Sequence, residues 1–168
     1  MAFIYKKSRI ANAGRELMAY TITDSQVLSV GEAVKFASGK LSTWGAGGAG
    51  LGIVAGFQKA DGSPLTDNGA GGAFSGTYTA PSSNTVKALV DVSLLSIYSV
   101  PADATLGTTT GSNLAGYNMD CVAASDTLAE NTAATTSASF VSFGVDPDPK
   151  APSNSVLVSI KESQITGV

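Results

Sequence analysis

The stretch Val86-Lys-Ala-Leu-Val-Asp-Val-Ser-Leu-Leu-Ser-Ile-Tyr-Ser-Val100 decides the fold. From Val86 to Leu94, apolar residues alternate with residues that are mostly polar, and this period of two places an apolar row on one face of a β-strand. The Leu94-Leu95 doublet then shifts the phase, which a strand permits only at a bulge, bend or turn. The sequence therefore predicts two central strands joined at residues 93–95.

Short apolar or alternating segments occur on both sides of this pair, with turn signals between them. Two pairs of segments predict hairpins: residues 27–36 with 40–44 around Ser38-Gly39, and residues 140–145 with 156–160 around an acidic proline turn. The pattern Thr127-x-x-Glu130 allows one or two turns of helix. Eight to ten short strands with almost no helix predict an all-β fold, an antiparallel β-sandwich or barrel of the jelly-roll-like or β-tulip-like kind.

Positive charge is concentrated at the amino terminus. Residues 1–15 carry Lys6, Lys7, Arg9 and Arg15 and no acidic residue, which leaves six positive and thirteen negative charges for the rest of the chain. These residues show no clear periodicity, and Gly14 disfavours a stable helix. We therefore predict an extended basic arm over residues 1–16, followed by a single β-rich domain over residues 17–168.

The composition predicts a subunit that packs against other subunits. Only 14% of the residues are charged, against about 25% in ordinary soluble proteins, and a surface without charge repulsion is tolerated best when much of it is covered. A plain soluble β-protein with a neutral exterior is the alternative. No apolar run is long enough for a signal peptide or a membrane span, so we expect an intracellular product without a membrane partner.

The residues that usually carry catalysis are scarce. The chain has no histidine, the commonest general base and metal ligand, and Cys121 is its one cysteine, so an internal disulfide is impossible. We identify no catalytic constellation and expect a protein that is not an enzyme and needs no cofactor. The acidic body would also repel a phosphate backbone, and we expect no nucleic-acid partner.

Two motifs suggest ligands, but their contexts favour simpler roles. Gly45-Ala-Gly-Gly-Ala-Gly50 matches G-x-G-x-x-G, yet residues 51–57 alternate like a strand where a dinucleotide site needs a helix, so we predict a loop or a close backbone approach. Asp146 and Asp148, with Asp120 or Asp126 nearby, offer oxygen ligands for Ca²⁺. They lack EF-hand spacing, and the intervening prolines favour a turn without a metal.

Trp44, the one tryptophan, lies beside the glycine tract. We consider three roles for it, in this order: a core residue, an anchor in an interface, and a platform for a sugar ring.

The order of features from Val86 to Ile165 resembles that of a known class of virion proteins. The features are Val90-Asp-Val92, Ile97-Tyr-Ser-Val100, the Thr/Gly-rich connection from Asp103 to Tyr117, Phe140-Val-Ser-Phe-Gly-Val-Asp146 and Val156-Leu-Val-Ser-Ile160. They resemble the small β-rich decoration (auxiliary, or cement) proteins on tailed-bacteriophage heads, over about half of the chain. The resemblance implies a protein made in the host cytoplasm that binds the outer capsid surface, as a homo-oligomer with a trimer favoured, and bridges neighbouring major capsid subunits.

Under this hypothesis the amino-terminal arm and the Trp44 region contact the capsid. An arm with apolar and basic residues can lie across an acidic shell or add a strand to a neighbouring sheet, and we expect deletion of residues 2–15 to leave the β-domain folded. The predicted contact residues are Phe3, Ile4, Tyr5, Lys6, Lys7, Arg9, Arg15 and Trp44.

Two other functions stay open from the sequence. One is a carbohydrate- or surface-binding β-sandwich of a phage head fibre or tail component, with the loops at residues 101–117 and 123–139 as its binding rim. The other is a hydrolase on an antiparallel scaffold, for which we identify no residues with defined roles.

Overall fold

A computed structural model describes residues 3–11, 13–45, 50–102, 116, 118–121, 128–130, 139–152 and 154–161. Every regular element among them is a β-strand, and they contain no helix long and apolar enough to cross a membrane. The strands are β1 (Ile4–Ser8), β2 (Leu17–Thr21), β3 (Val27–Ser29), β4 (Ala33–Ala37), β5 (Lys40–Thr43), β6 (Gly52–Gln58), β7 (Thr77–Thr79), β8 (Lys87–Asp91), β9 (Ser96–Pro101), β10 (Asn118–Cys121), β11 (Leu128–Glu130), β12 (Phe140–Val145) and β13 (Ser155–Ile160).

The strands form three sheets. A six-stranded sheet has the order β1-β9-β13-β12-β10-β11, a five-stranded sheet has the order β2-β8-β6-β4-β5, and β3 pairs with β7. All of these strand pairs are antiparallel. The fold is consistent with a β-sandwich, and the prediction of an all-β antiparallel protein is confirmed.

The stretch from Val86 to Val100 forms two interior strands in different sheets. β8 lies between β2 and β6 in the five-stranded sheet, and β9 lies between β1 and β13 in the six-stranded sheet. Val86, Ala88, Val90 and Val92 are buried on one face, as the alternation predicts. The phase shift at the Leu94-Leu95 doublet marks the point where the chain leaves one sheet for the other.

The five-stranded sheet contributes side chains to two hydrophobic cores. Ala33 and Ile53 pack with residues of the six-stranded sheet, such as Tyr98 and Phe140. Their sequence neighbours Val34 and Val54 belong to the second core, to which β3 and β7 add Leu28 and Tyr78. Because successive residues of a strand point to opposite faces, the sheet is buried on both sides at these positions of β4 and β6.

The two edge strands of the five-stranded sheet meet at one end. Ile22, directly after β2, forms a parallel bridge with Leu41 of β5, and the Thr23 amide donates to the Leu41 carbonyl at 2.9 Å. Before this bridge, β2 pairs with β8 along one side. The two edge strands of this sheet therefore lie against each other where β2 ends.

Both predicted hairpins are present. β4 and β5 are joined by Ser38 and Gly39, whose φ angles are 52° and 79°. Two successive left-handed residues make a turn whose twist matches that of the flanking strands. β12 and β13 pair around the acidic proline turn, with an irregularity between Ser142 and Gly144.

Two local predictions are wrong. Residues 27–36 are not one strand, because Gly31 adopts a φ of 84° and the Glu32 carboxylate accepts the Ser29 amide at 2.7 Å, which ends β3 and begins a turn before β4. Leu128–Glu130, where the capping pattern allows a helical turn, is strand β11, because its residues pair with β10 instead. Short strands such as these, together with β1, raise the number of described strands above the predicted eight to ten.

Candidate functional site

The amino-terminal segment adds a strand to the protein's own six-stranded sheet. β1 pairs with β9, with Ile4 opposite Ser99 and Lys7 opposite Ile97, and a bulge at Lys6 lies between these pairs. The Phe3 amide donates to the Gly31 carbonyl at 2.8 Å. The prediction that this segment acts as an arm toward a partner stays a prediction, since β9 belongs to the same chain.

Phe3 and Trp44, two of the eight predicted contact residues, are core residues. Both are buried and lie against Phe140, at ring-centroid distances of 5.1 Å and 5.3 Å. Phe3 also meets Tyr98 edge-on at 6.1 Å. Such aromatic contacts stabilise the core beyond the area they bury. In this fold the Trp44 side chain has the first of its three considered roles, and neither ring is available to a partner.

The surroundings of Gly50 explain why the last position of the glycine tract is a glycine. A Cβ atom added at Gly50 would lie 2.1 Å from a ring carbon of Trp44, so only glycine lets the backbone pass this close to the indole. Residues 46–49 lie outside the described part of the chain. The segment that follows is strand β6, as the alternation of residues 51–57 predicts.

Arg15 holds the chain between β1 and β2 against both sheets. Its guanidinium carbon lies 4.8 Å from the centroid of the Tyr5 ring, and its Nε donates to Asp91 Oδ2 at 3.0 Å. A cation over an aromatic face is attracted by the ring quadrupole. Arg15 thus connects β1 of the six-stranded sheet to β8 of the five-stranded sheet.

Asp91 is a polar centre that the sequence analysis missed. Its side chain has no exposure to solvent, and Oδ2 also accepts the hydroxyls of Ser96 at 2.8 Å and Tyr98 at 2.6 Å. Oδ1 accepts the Ser93 amide at 3.1 Å. The signal in the sequence was an aspartate on the polar row of β8 that is followed by serine and tyrosine hydroxyls within seven residues.

The phenol of Tyr98 stays protonated and donates a hydrogen bond in this network. Burial raises the pKa of Tyr98 far above its usual range, and the negative charge of Asp91 raises it further. Because the phenol keeps its proton, it donates to Asp91 throughout the physiological pH range. The network joins the two sheets.

Lys6 pairs with the acidic turn between β12 and β13. Its Nζ lies 2.9 Å from Asp148 Oδ2 and 3.3 Å from Asp146 Oδ2. Burial would raise the pKa of Asp146, but the nearby Ser99 hydroxyl, the hydrogen bond from the Asp148 amide and the Lys6 ammonium lower it overall. The pKa of Asp148 is lowered by the Lys150 amide and by Lys6. The Lys6 ammonium therefore lies beside the two carboxylates that the sequence analysis considered as ligands for Ca²⁺.

No group of three or more histidine, cysteine or acidic residues within reach of one metal ion occurs in the part of the chain that the structure describes. Asp126 lies outside that part, and of Asp120 only the backbone in β10 is described. The loops at residues 101–117 and 123–139, the rim of the carbohydrate-binding alternative, also lie largely outside it.

The remaining contact residues, Ile4, Lys7 and Arg9, point to solvent. Ile4 is 49% exposed, and Lys7 and Arg9 are also exposed. The Arg9 guanidinium lies 5.5 Å from the centroid of Phe143, which is itself 39% exposed. Ile10, which the sequence analysis did not select, is 55% exposed. Ile4, Lys7, Arg9 and Ile10 thus form a strip of exposed residues along the amino-terminal segment that is partly apolar and partly basic.

Comparison of the chain with models of protein families, with curated proteins and with solved structures found no match. The fold therefore defines the class of the protein as all-β, with antiparallel sheets consistent with a β-sandwich.

Proposed function

We propose that the chain is a structural virion protein that binds the outer surface of a phage capsid and bridges or stabilises neighbouring major capsid subunits. The resemblance of residues 86–165 to decoration proteins motivates this proposal. A homo-oligomer, with a trimer favoured, and the virion surface as its location are parts of the same proposal.

The observation that supports the proposal best is the strip of exposed residues in and after β1. Ile4 and Ile10 are among the most exposed large apolar side chains of the described chain, and Lys7 and Arg9 lie between them in the sequence. Exposed apolar side chains next to positive charge suit an acidic protein surface, and under this proposal the capsid shell offers such a surface in many copies. Repeated weak contacts on a closed lattice then add through multivalency.

The first experiment asks whether the protein travels with particles. A lysate of the native source is sedimented on a gradient, and the chain is located by peptide mass spectrometry. We expect it to migrate with very large particles, at a fixed ratio to a major shell protein. A chain that stays at the top of the gradient as a monomer or small oligomer contradicts the proposal.

The second experiment locates the contact. Purified protein is added to shells that lack it, and binding of the wild type is compared with that of an Ile4→Asp, Ile10→Asp double variant. The matched control is Val27→Asp, because Val27 is 49% exposed but lies on β3. We expect the double variant to bind at least tenfold more weakly and the control to bind like the wild type. Equal binding by all three proteins would show that the strip does not contribute to binding.

Deletion of residues 2–15 is not a clean test of this contact. The deletion would remove Phe3 from the core, β1 from the six-stranded sheet and Arg15 from Asp91. We therefore expect the truncated chain to be destabilised, contrary to the expectation from the sequence, and point substitutions at exposed residues are the better probe.

A further inference from the structure

The connection between β6 and β7 contains the one Asn-Gly pair of the sequence, Asn68-Gly69. In such a pair the backbone nitrogen of the glycine can attack the side-chain carbon of the asparagine, which closes a cyclic imide and releases ammonia. Glycine makes this reaction easy, because it has no side chain to hinder the approach and its backbone rotates freely. Water then opens the imide to aspartate or to isoaspartate, in which the backbone runs through the former side chain.

In the folded loop, hydrogen bonds fix Asn68 at its side chain and at its backbone. Asn68 Oδ1 accepts the amides of Ala70 and Gly72, each at 2.9 Å. The Asn68 amide donates to the Gly72 carbonyl at 2.9 Å, and the Asn68 carbonyl accepts the Thr79 amide at 2.8 Å. A bond between the Gly69 nitrogen and the Asn68 side-chain carbon moves both groups. Part of this set of hydrogen bonds therefore has to break before the imide can close.

Gly69 is held from two sides. Its amide, the nucleophile of the reaction, donates to Asp67 Oδ1 at 3.0 Å. The negative charge of this carboxylate disfavours the deprotonated amide that attacks. The Gly69 backbone has a φ of 74° and passes so close to β7 that an added Cβ atom would collide with the Thr79 carbonyl oxygen. Isoaspartate lengthens the backbone directly before this contact, so the contact cannot be kept.

We propose that Asn68 is a site of spontaneous deamidation that the folded loop suppresses and that reacts when residues 67–73 open. Its rate in the native protein is then the rate in the unfolded chain multiplied by the fraction of time for which the loop is open. Aspartate at this position can accept the same two amides and lets the loop close again. Isoaspartate cannot restore the packing of Gly69 against Thr79, so it prevents the loop from closing. This inference does not depend on the proposed capsid function.

Peptide mass spectrometry of the full-length protein tests the proposal. The protein is incubated at mildly alkaline pH in native buffer and in urea, and trypsin then releases residues 60–87 as one peptide. We expect Asn68 to be deamidated at least about tenfold more slowly in native buffer than in urea. Asn84 lies in the same peptide before a threonine, whose branched side chain hinders the attack, and it should react much more slowly than Asn68 in urea.

Three outcomes of this experiment overturn the proposal. One is a native rate for Asn68 equal to its rate in urea, which would mean that the loop gives no protection. Another is a native rate above the rate in urea, which would mean that the two amides on Oδ1 act as an oxyanion hole for the attack. The third is equal reaction of Asn68 and Asn84 in urea.

A substitution that loosens the loop without changing the reacting pair provides a second test. A Cβ atom at Gly72 would lie 2.9 Å from Asn68 Nδ2, so Gly72→Ala has to displace this side chain. We expect Asn68 to react at least about threefold faster in native Gly72→Ala than in native wild type, and equally fast in urea. Gly45→Ala, with nothing within 4 Å of the added atom, should behave like the wild type. Circular dichroism verifies that both variants fold, and an unchanged native rate in Gly72→Ala overturns the proposal.

Discussion

Asp91 has no exposure to solvent, and three side-chain donors converge on its carboxylate. A buried carboxylate with several donors is stabilised by them, but each donor loses its partner when the carboxylate is removed. The residue therefore connects the two sheets at the point where β8 passes into β9.

Asp91→Ala should lower the free energy of unfolding by roughly 3 kcal/mol, because it leaves the Tyr98 and Ser96 hydroxyls without their acceptor and Arg15 without its counter-ion. Urea unfolding monitored by tryptophan fluorescence measures this change. Asp24→Ala is the control, because the pair of Asp24 with Lys40 is exposed and should contribute less than about 1 kcal/mol. Equal losses in the two variants would show that the Asp91 network is not structural.

Gly50 and Gly45 flank the same glycine tract but differ in their surroundings. A Cβ at Gly50 meets the Trp44 ring, while nothing lies within 4 Å of one at Gly45. Gly50→Ala should therefore destabilise the fold by about 2 kcal/mol through overpacking, and Gly45→Ala by less than about 0.5 kcal/mol. Thermal unfolding of the two variants tests this difference, and a neutral Gly50→Ala would contradict the close approach.

The residue types correctly predicted which strand faces are apolar and buried, but they did not predict that Asp91 is buried as well. The alternation of β8 correctly placed Val86, Ala88, Val90 and Val92 in a core. It also placed Asp91 on the opposite face, which the pattern of a single strand assigns to solvent. That face is covered by the six-stranded sheet, which the chain enters directly after β8, and local periodicity does not encode how two sheets pack.

β1 illustrates the same limit at the scale of an element. Its sequence lacks a clear period because the bulge at Lys6 breaks the alternation, and its partner β9 lies about ninety residues further along the chain. Hairpins such as β4–β5 were predictable because the turn residues lie between the strands that they join. β1 has no such turn.

Phe3 and Ile4 provide a matched pair for testing β1. Phe3 is 5% exposed and Ile4 is 49% exposed, although they are adjacent in sequence. Phe3→Ala should cost about 3 to 4 kcal/mol of stability, whereas Ile4→Ala should cost less than about 1 kcal/mol. Denaturant unfolding distinguishes them, and similar small losses would mean that the segment is not part of the folded domain.

The pairing of Lys6 with the acidic turn makes the anchoring of β1 depend on pH. The pKa values of Asp146 and Asp148 are lowered in the folded protein, so their contribution to stability is present above the ordinary pKa of aspartate and is lost as pH falls through the lowered values. The pKa of Lys6 is raised, with the hydrogen bond to Asp148 as the main cause. Its contribution is complete below the ordinary lysine pKa and is lost as pH rises through the raised value.

A Lys6→Met variant tests this pH dependence. Wild type and variant should differ in stability near neutral pH, and the difference should shrink in strong acid and in strong base. Denaturant titrations at pH 7, 2.5 and 12 measure it. A difference that is constant across these values would show that the ion pair contributes nothing that depends on charge.

For the whole molecule, the charge separation between the first fifteen residues and the remainder is smaller at the surface than the sequence suggests. Lys6 and Arg15 are paired with the protein's own carboxylates, so Lys7 and Arg9 remain as the exposed basic residues of the segment. Long-range attraction to an acidic partner should therefore depend on these two charges.

Binding to shells that lack the protein should weaken modestly as salt is raised from 50 to 300 mM. A Lys7→Glu, Arg9→Glu variant should bind more weakly and should lose this salt dependence. Lys35→Glu, Lys59→Glu changes the net charge equally at positions away from the segment and should bind like the wild type. Equal weakening of both double variants would assign the effect to net charge alone.

The five-stranded sheet, with Ile53 in one core and Val54 in the other, ties the unfolding of the two halves of the molecule together. Each core has that sheet as one of its walls, so the loss of either core exposes one face of the sheet and destabilises the other core. Amide exchange in β6 and β8 should therefore report only global unfolding, and the protein should resist proteases until the whole domain opens. The folded domain is therefore expected to unfold, and to be degraded, in a single cooperative step.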